Sequence, residues 1–182
     1  MKILAGRFGG HPILQPPSRA TRPLSEKVRA ALFDVVGAPT GLVVLDAYAG
    51  SGAAGLEALS RGALLVEAIE SNPRAARTIQ ANARALEVDT QHILHQLSVE
   101  SWLAAPAQQP PAARYGLIIA DPPYAQLKTD VLEHLAGYLT TVGVLAVSHA
   151  SRLPAPALAG VELRKSKRYG DTAIAFYCSS PR

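Results

Sequence analysis

Cysteine is almost missing from this sequence, because Cys178 is the only one among its 182 residues. A lone cysteine excludes an internal disulfide framework and a zinc site built from several cysteines, and we expect no metal site. The chain also lacks any apolar run near the roughly 20 residues that a membrane-spanning helix needs. Residues 1–7 lack the apolar core of a signal peptide. These absences predict a cytoplasmic protein with no membrane partner.

The sequence does contain enough apolar residues for an ordered fold. Hydrophobic residues make up 48% of the chain, so it is unlike a disordered protein. Its length suits one domain with a sizeable core, and no internal repeat or linker interrupts it. We therefore predict a single domain over residues 1–182, with an N-terminal hairpin and extended arm in residues 1–23 and a catalytic core in residues 24–182.

Basic residues are concentrated at the two ends of the chain. The net charge is +4. Residues 1–37 hold six basic and two acidic side chains, and residues 160–182 hold five basic and two acidic ones. The middle of the chain holds seven basic and ten acidic side chains and is mildly acidic. If the two ends fold onto one face, they form a patch suited to a phosphate backbone, and otherwise they only solubilise the protein.

Glycine and proline divide the N-terminal part into three segments. Residues 1–16 alternate apolar residues with glycines, which predicts a small β-hairpin. Prolines keep residues 16–23 extended. Residues 24–36 carry apolar side chains at helical spacing and predict a helix. Arg22 and Arg29 are candidate phosphate contacts or simply solvated side chains.

From residue 42 onward, strand and helix patterns alternate, and the alternation predicts an α/β doubly wound sheet. The predicted helices are residues 53–61, 73–86, 98–104 and 127–139. The predicted strands are residues 42–46, 64–70, 92–95, 115–120 and 142–148, followed by the pair 161–167 and 173–177. A Gly-Asp turn joins that last pair, which predicts a final antiparallel hairpin beside a mostly parallel sheet of seven strands in total.

A glycine turn follows the first strand. Gly50-x-Gly52-x-x-Gly55 matches the dinucleotide fingerprint, and Glu70 stands at a suitable distance to bind a ribose hydroxyl. The turn also suits S-adenosylmethionine, because Asp46 at the strand end can face the charged amino acid end of that cofactor. The glycine turn alone leaves both cofactors open.

A second motif, Asp121-Pro122-Pro123-Tyr124, follows the fourth strand. The two prolines fix an extended turn and remove two N–H donors, so acceptor oxygens and an aromatic ring remain at the strand end. The Asp121 carboxylate and the Pro122 carbonyl can accept the two hydrogens of a planar amino group, and Tyr124 can stack on it. This constellation predicts methylation of an sp² nitrogen and favours S-adenosylmethionine over a dinucleotide.

Together the two motifs resemble those of the class I S-adenosylmethionine-dependent N-methyltransferases, and within them the RsmD-type family. The resemblance runs nearly from end to end. Besides the two motifs it rests on residues 6–14, on Thr-Arg-Pro-Leu-Ser-Glu-Lys-Val-Arg-Ala-Ala-Leu-Phe at residues 21–33, on residues 56–63 and on residues 168–172. It implies a Rossmann-like fold and methyl transfer to N2 of a guanine in 16S ribosomal RNA, with the small ribosomal subunit as partner.

The resemblance also implies roles for individual residues. It assigns cofactor binding to Asp46, Tyr48, Gly50, Ser51, Gly52 and Glu70. It assigns the target amino group to Asp121, Pro122, Pro123 and Tyr124, and it places Thr21 and Arg22 near the cofactor and the RNA entrance. The sequence departs from the family at Leu97, where an acidic residue usually meets the adenine, and at Ser148-His149, where Glu-His is common.

Other functions remain open from the sequence. A DNA adenine-N6 methyltransferase uses the same Asp-Pro-Pro-Tyr chemistry, but it usually carries an added DNA-reading segment. A protein glutamine methyltransferase more often has asparagine before the two prolines. A dehydrogenase that binds NAD leaves the second motif unexplained, and a non-catalytic RNA-binding protein needs no cofactor.

Overall fold

Alternating strands and helices form one sheet with helices on both faces, in a computed structural model that describes residues 1–16, 24–105 and 114–179. The strands in these ranges are β1 (Val43–Ala47), β2 (Leu65–Ile69), β3 (His92–His95), β4 (Tyr115–Ala120), β5 (Leu139–Ala150), β6 (Val161–Tyr169) and β7 (Thr172–Ser179). The helices are α1 (Glu26–Val36), α2 (Ala53–Ser60), α3 (Pro73–Ala85), α4 (Val99–Ala104) and α5 (Thr129–Ala136).

The sheet has the strand order β3-β2-β1-β4-β5-β7-β6. Strands β1 to β5 pair in parallel, whereas β7 runs antiparallel to both β5 and β6. The predicted seven-stranded sheet with a final antiparallel hairpin is confirmed. The carboxyl ends of the parallel strands therefore share one edge, which is where open α/β sheets bind ligands.

Local sequence signals explain where the helices begin and end. The Ser25 side chain accepts a hydrogen bond from the Val28 N–H at the start of α1, and Asn72 accepts from the Arg74 N–H at the start of α3. Pro73 occupies the first position of α3, where its missing N–H costs nothing. Gly37 ends α1 with a φ of 76°, a conformation that favours glycine.

The helices divide between the two faces of the sheet. Helices α1, α2 and α3 pack on one face, against inward side chains such as Val44, Ile119 and Ile174. Helices α4 and α5 pack on the other face, against Leu45 and Ala120 among others. Successive strand residues thus alternate between two cores, which is why the strands read as continuous apolar runs. Trp102, predicted to lie in the core, is 1% exposed.

The N-terminal segment forms a short version of the predicted β-hairpin, with one antiparallel bridge between Lys2 and Pro12. The Ile3 and Ile13 N–H groups donate to the His11 and Met1 carbonyl oxygens, both at 2.9 Å. The Leu4 and Ala5 N–H groups donate to the Glu57 carboxylate of α2 at 2.7 and 3.1 Å, so they are not available for a ladder. Gly6 lies so close to α2 that a Cβ atom would stand 1.9 Å from the Ser60 carbonyl oxygen. The hairpin is therefore fastened to α2 as well as to itself.

Arg29 is not a solvated or phosphate-binding residue, which corrects the sequence interpretation. Its side chain is fully buried, with Nε 3.4 Å from Glu57 Oε2. Its guanidinium also donates to the Lys2 carbonyl oxygen. Burial lowers the pKa of Arg29, and the Glu57 carboxylate opposes that effect. Arg29 on α1 therefore connects this helix to α2 through Glu57 and to the N-terminal segment through Lys2.

Two element boundaries also differ from prediction. Leu42 precedes β1 and is 38% exposed, because pairing with β2 begins only at Val43. Leu139, predicted to end a helix, opens β5 and pairs with Tyr115. In the described part of the chain, no helix is long and apolar enough to cross a membrane.

Candidate active site

Three carboxylates meet at the carboxyl edge of the parallel strands. Asp46 lies near the end of β1, Glu70 follows β2 and Asp121 follows β4. Register places Ala47 opposite both Ile69 and Ala120, so the three side chains come from adjacent strand ends. Asp121 and Glu70 both raise the pKa of Asp46 by charge repulsion, in addition to the larger effect of burial. The structure therefore brings together the acidic residues of both sequence motifs.

The glycine turn leaves open space above β1. Tyr48, Gly50 and Gly52 all have positive φ, at 67°, 59° and 77°. A Cβ atom added at Gly50 would meet nothing within 4 Å, whereas one at Gly52 would meet Ile79 at 3.2 Å. The side of the turn at Gly50 can therefore receive a ligand close to the backbone.

The N–H groups of the three glycines are already used within the protein. Gly50 donates to Glu70 Oε2 at 2.8 Å, Gly52 donates to the Ala49 carbonyl oxygen at 2.8 Å, and Gly55 donates to Asp46 Oδ2 at 2.8 Å. A pyrophosphate needs such donors free and would be repelled by the carboxylates. This arrangement disfavours a dinucleotide and suits a cationic ligand.

Hydrogen bonds from Gly55 and Asn82 hold the Asp46 side chain and the Ser51 carbonyl group in place. Asp46 is 2% exposed, and burial raises its pKa to about 7 despite the hydrogen bond from Gly55. The Ser51 carbonyl oxygen accepts from Asn82 Nδ2 at 3.1 Å. Asn82 also binds the backbone of Leu14 in both directions. Sequence reasoning missed Asn82, which ties the N-terminal segment to the glycine turn.

The Asp-Pro-Pro-Tyr motif is extended at Pro123, with φ −53° and ψ 125°. Pro122 is buried, Pro123 is exposed, and a short 3₁₀ turn begins at Tyr124. The Tyr124 ring is 40% exposed, and its hydroxyl lies 2.7 Å from Thr172 Oγ1 at the start of β7. This hydrogen bond ties the Tyr124 side chain to the start of β7.

Ser148 is a site residue that the sequence interpretation left without a role. It lies in β5, one residue beyond the pair Ala120–Val147, and is 2% exposed. Burial raises the pKa of Asp121 to about 7, and the hydrogen bond from the Ser148 side chain opposes that rise. The departure from the family's Glu-His pair was the only signal in the sequence that pointed here.

We expect Ser148→Ala to shift the pH profile of turnover upward by about one unit. The change leaves the buried Asp121 carboxylate without its donor, which raises its pKa further. Turnover would be measured from pH 5.5 to 9 at saturating substrates. Ser148→Thr keeps the hydroxyl and should retain the wild-type profile. An unchanged profile in Ser148→Ala would show that Ser148 only fills space.

The structure describes some, but not all, of the other residues to which the sequence analysis gave a place near the site. Thr21 and Arg22 lie outside the described residues. Leu97 packs at the margin of the core beneath α4 and α5. His149 is 3% exposed, and its Nδ1 lies 3.1 Å from the Ala150 carbonyl oxygen. Burial lowers the pKa of His149, so this histidine is a neutral structural residue.

These residues fit S-adenosylmethionine. The open space at Gly50 gives room for a ligand against the backbone. The carboxylates of Asp46, Glu70 and Asp121 create a negative potential that attracts a cation. Glu70 accepts from the Gly50 and Asn72 N–H groups at 2.8 and 2.7 Å. Since a carboxylate has about four lone-pair positions, it can still accept ribose hydroxyls.

Known proteins resemble this chain over most of its length. The family model described as Conserved hypothetical protein 95 matches residues 1–178. YlbH of Bacillus subtilis (strain 168), a candidate rRNA methyltransferase, is 29% identical over 97% of this chain and 98% of its own. The ribosomal RNA small subunit methyltransferase D of Escherichia coli (strain K12) is 30% identical over 80% of this chain and 70% of its own.

A solved structure shows the same fold. The candidate methyltransferase yhhF from Escherichia coli superposes with a TM-score of 0.85 at 24% identity and covers 100% of this chain and 99% of its own. The fold is that of the class I S-adenosylmethionine-dependent methyltransferases. With the family model spanning nearly every residue, this chain belongs to the family described as Conserved hypothetical protein 95, the RsmD family of methyltransferases.

Proposed function

We propose that this protein transfers a methyl group from S-adenosylmethionine to the exocyclic N2 of a guanine in 16S ribosomal RNA. The observation that carries the proposal is the position of Asp121, at a strand end beside the glycine turn and close enough to Asp46 for charge repulsion. The relatives named as rRNA methyltransferases supply the substrate class. The choice of N2 rests on the family resemblance together with the acceptor groups of the second motif.

The residues of the second motif position the amino group. The Asp121 carboxylate and the Pro122 carbonyl accept its two hydrogens, which turns the nitrogen lone pair out of conjugation with the ring. The Tyr124 ring, fixed through Thr172, stacks on the base. Because both prolines lack an N–H, no backbone donor at these positions competes for the lone pair. Alignment of the reacting groups supplies much of the rate enhancement.

Bound S-adenosylmethionine supplies an electrophilic methyl group. As the amino nitrogen becomes cationic, the Asp121 carboxylate stabilises the developing charge, and later the proton leaves to solvent without a strong base. A guanine inside a helix cannot reach Asp121, so the target must be unpaired or flipped out of its stack. Asp121 therefore has an orienting and electrostatic role rather than that of a general base.

The test is transfer of labelled methyl from S-adenosylmethionine to small ribosomal subunits that lack the modification. Naked 16S RNA and duplex DNA serve as parallel substrates, and the labelled nucleoside is identified after digestion. We expect N2-methylguanine in ribosomal RNA, in the particle or in the naked form. N6-methyladenine in DNA alone would replace the proposal with a DNA methyltransferase. Label nowhere, with NADH bound and S-adenosylmethionine not, would support a dehydrogenase.

A further inference from the structure

The edge of the sheet formed by β6 is exposed and basic. Strand β6 stands last in the strand order, and among the described strands it pairs with β7 alone. Residues 162–168 are all exposed. Four of these seven side chains are basic, and one is acidic: Arg164, Lys165, Lys167 and Arg168 against Glu162. This run of positive charge lies on a strand whose register with β7 shifts between Leu163 and Lys165 and is regular from Lys165 onward.

Two basic residues near the other end of the chain, Arg7 and Arg29, do not join this strand in a single patch. Arg29 is buried against Glu57. Arg7 donates to Gln91 Oε1 at 2.6 Å and stacks on the Phe8 ring. Arg7 is thus tied to Gln91, next to β3, which is the opposite edge of the sheet from β6. Arg7 and Arg29 therefore do not contribute to a basic patch with β6.

The register of the sheet places two of the lysines on the same face as the catalytic carboxylate. Lys165 pairs with Phe176 and Lys167 pairs with Ile174. Ile174 also pairs with Ser148, whose side chain binds Asp121. Residues directly opposite each other share a face, so the row runs from Asp121 across two strands to Lys167. At about 4.8 Å per strand, Lys167 stands roughly 14 Å from Asp121.

The end of β6 also meets the catalytic motif through its turn. Strand β6 ends at Tyr169, and β7 begins at Thr172. Thr172 Oγ1 lies 2.7 Å from the Tyr124 hydroxyl. An RNA strand that follows β6 toward the carboxyl end of that strand therefore reaches the Tyr124 ring, to which the proposed function assigns stacking on the target base. Lys165 and Lys167 are two residues apart on one face, about 7 Å, and form a short track of positive charge.

We propose that β6 is a docking strand for the RNA backbone that flanks the target guanine, with Lys165 and Lys167 each contacting a phosphate. This inference rests on the proposed function, because it takes RNA as the substrate. Phosphate contacts of this kind fix the position of the nucleic acid without reading its sequence. Lysines on an edge strand can instead serve only to prevent two sheets from pairing edge to edge. The experiment separates these two roles.

The test compares Lys165→Gln/Lys167→Gln with the control Arg77→Gln/Arg84→Gln. The control removes the same charge from exposed positions on α3. RNA binding is measured over a range of salt concentrations with 16S RNA and with small ribosomal subunits that lack the modification. We expect the lysine variant to lose about tenfold or more in affinity and its salt slope to fall by about 1.4 to 2. Its S-adenosylmethionine affinity and its turnover at saturating RNA should match the control.

Equal RNA affinity and salt slope in the two variants would overturn the docking strand. Self-association of the lysine variant, with RNA binding unchanged, would assign the lysines to edge protection instead. A wild-type protein that binds RNA in the expected lysine-dependent way but transfers no methyl would overturn the proposed function and leave the docking strand supported. The two proposals can therefore fail separately.

Discussion

Changing Asp121 to asparagine is expected to lower turnover by at least about 100-fold while S-adenosylmethionine affinity changes much less. Asparagine keeps the shape of the side chain but removes the negative charge that stabilises the amino nitrogen as it becomes cationic. Asp46 and Glu70, at the glycine turn, remain to hold the cofactor. Single-turnover methyl transfer measures the first effect, and titration calorimetry measures the second.

The same variant provides a pH test. Burial raises the pKa of Asp121 to about 7, and the ionised form is the one that functions. Wild-type turnover should therefore rise as the pH increases through 7, whereas the residual activity of Asp121→Asn should not follow that curve. Asp34→Asn, an exposed carboxylate on α1, is the matched control and should behave as wild type. Normal turnover in Asp121→Asn would contradict the proposed site.

The raised pKa values of Asp46 and Asp121 also carry a cost in stability. Each group is protonated more readily in the folded state than in the unfolded chain, so the folded state binds more protons between about pH 4 and pH 7. The contribution of these two groups to the free energy of unfolding therefore falls as the pH rises through that window, and it is constant above it. Both carboxyl groups are therefore fully ionised only at a pH above 7, where their contribution to stability is lowest.

Changing Glu57 to glutamine is expected to destabilise the protein by about 3 to 5 kcal/mol. The change leaves the buried Arg29 without its compensating charge, and an uncompensated buried charge is costly. Glu57 also accepts from the Leu4 and Ala5 N–H groups and from Arg61 Nε at 2.7, 3.1 and 2.8 Å. Urea unfolding measures the loss, and hydrogen exchange should show the N-terminal segment opening.

Two further variants isolate the buried pair. Arg61→Gln removes the partly exposed partner of Glu57, 2.8 Å away, and should cost less than about 1 kcal/mol. Arg29→Met combined with Glu57→Gln removes both charges and should recover part of the stability lost by Glu57→Gln alone. A loss below about 1 kcal/mol in Glu57→Gln would mean that Arg29 reaches water in the folded protein.

Much of the fold could be predicted from sequence because its signals are local. The apolar run at Val44-Leu45, the cap Asn72-Pro73 and the turn at Gly170 each report on their own segment, and together they indicate the sheet. The two motifs lie at strand ends, so the topology alone brings Asp46 near Asp121. For these features, neighbouring residues were sufficient.

The features that were missed depend on contacts between distant parts of the chain. Arg29 reads as a solvated residue until Glu57 is placed beside it, 28 residues away. The N-terminal residues read as a hairpin, but nothing local shows that α2 will also accept hydrogen bonds from the Leu4 and Ala5 N–H groups. Ser148 gains its role only when β5 pairs with β4. Sequence patterns describe faces and turns, but they do not identify the partner of a buried polar group.

The fastening of the N-terminal segment to α2 and α3 also determines the order of events during synthesis. The Leu4 and Ala5 N–H groups bind Glu57, which is 53 and 52 residues further along the chain, and Leu14 binds Asn82, 68 residues further along. None of these partners exists when the segment leaves the ribosome. Long loops must close before such contacts form. This segment is therefore fixed in place only after the glycine turn and the two helices that follow it have been made.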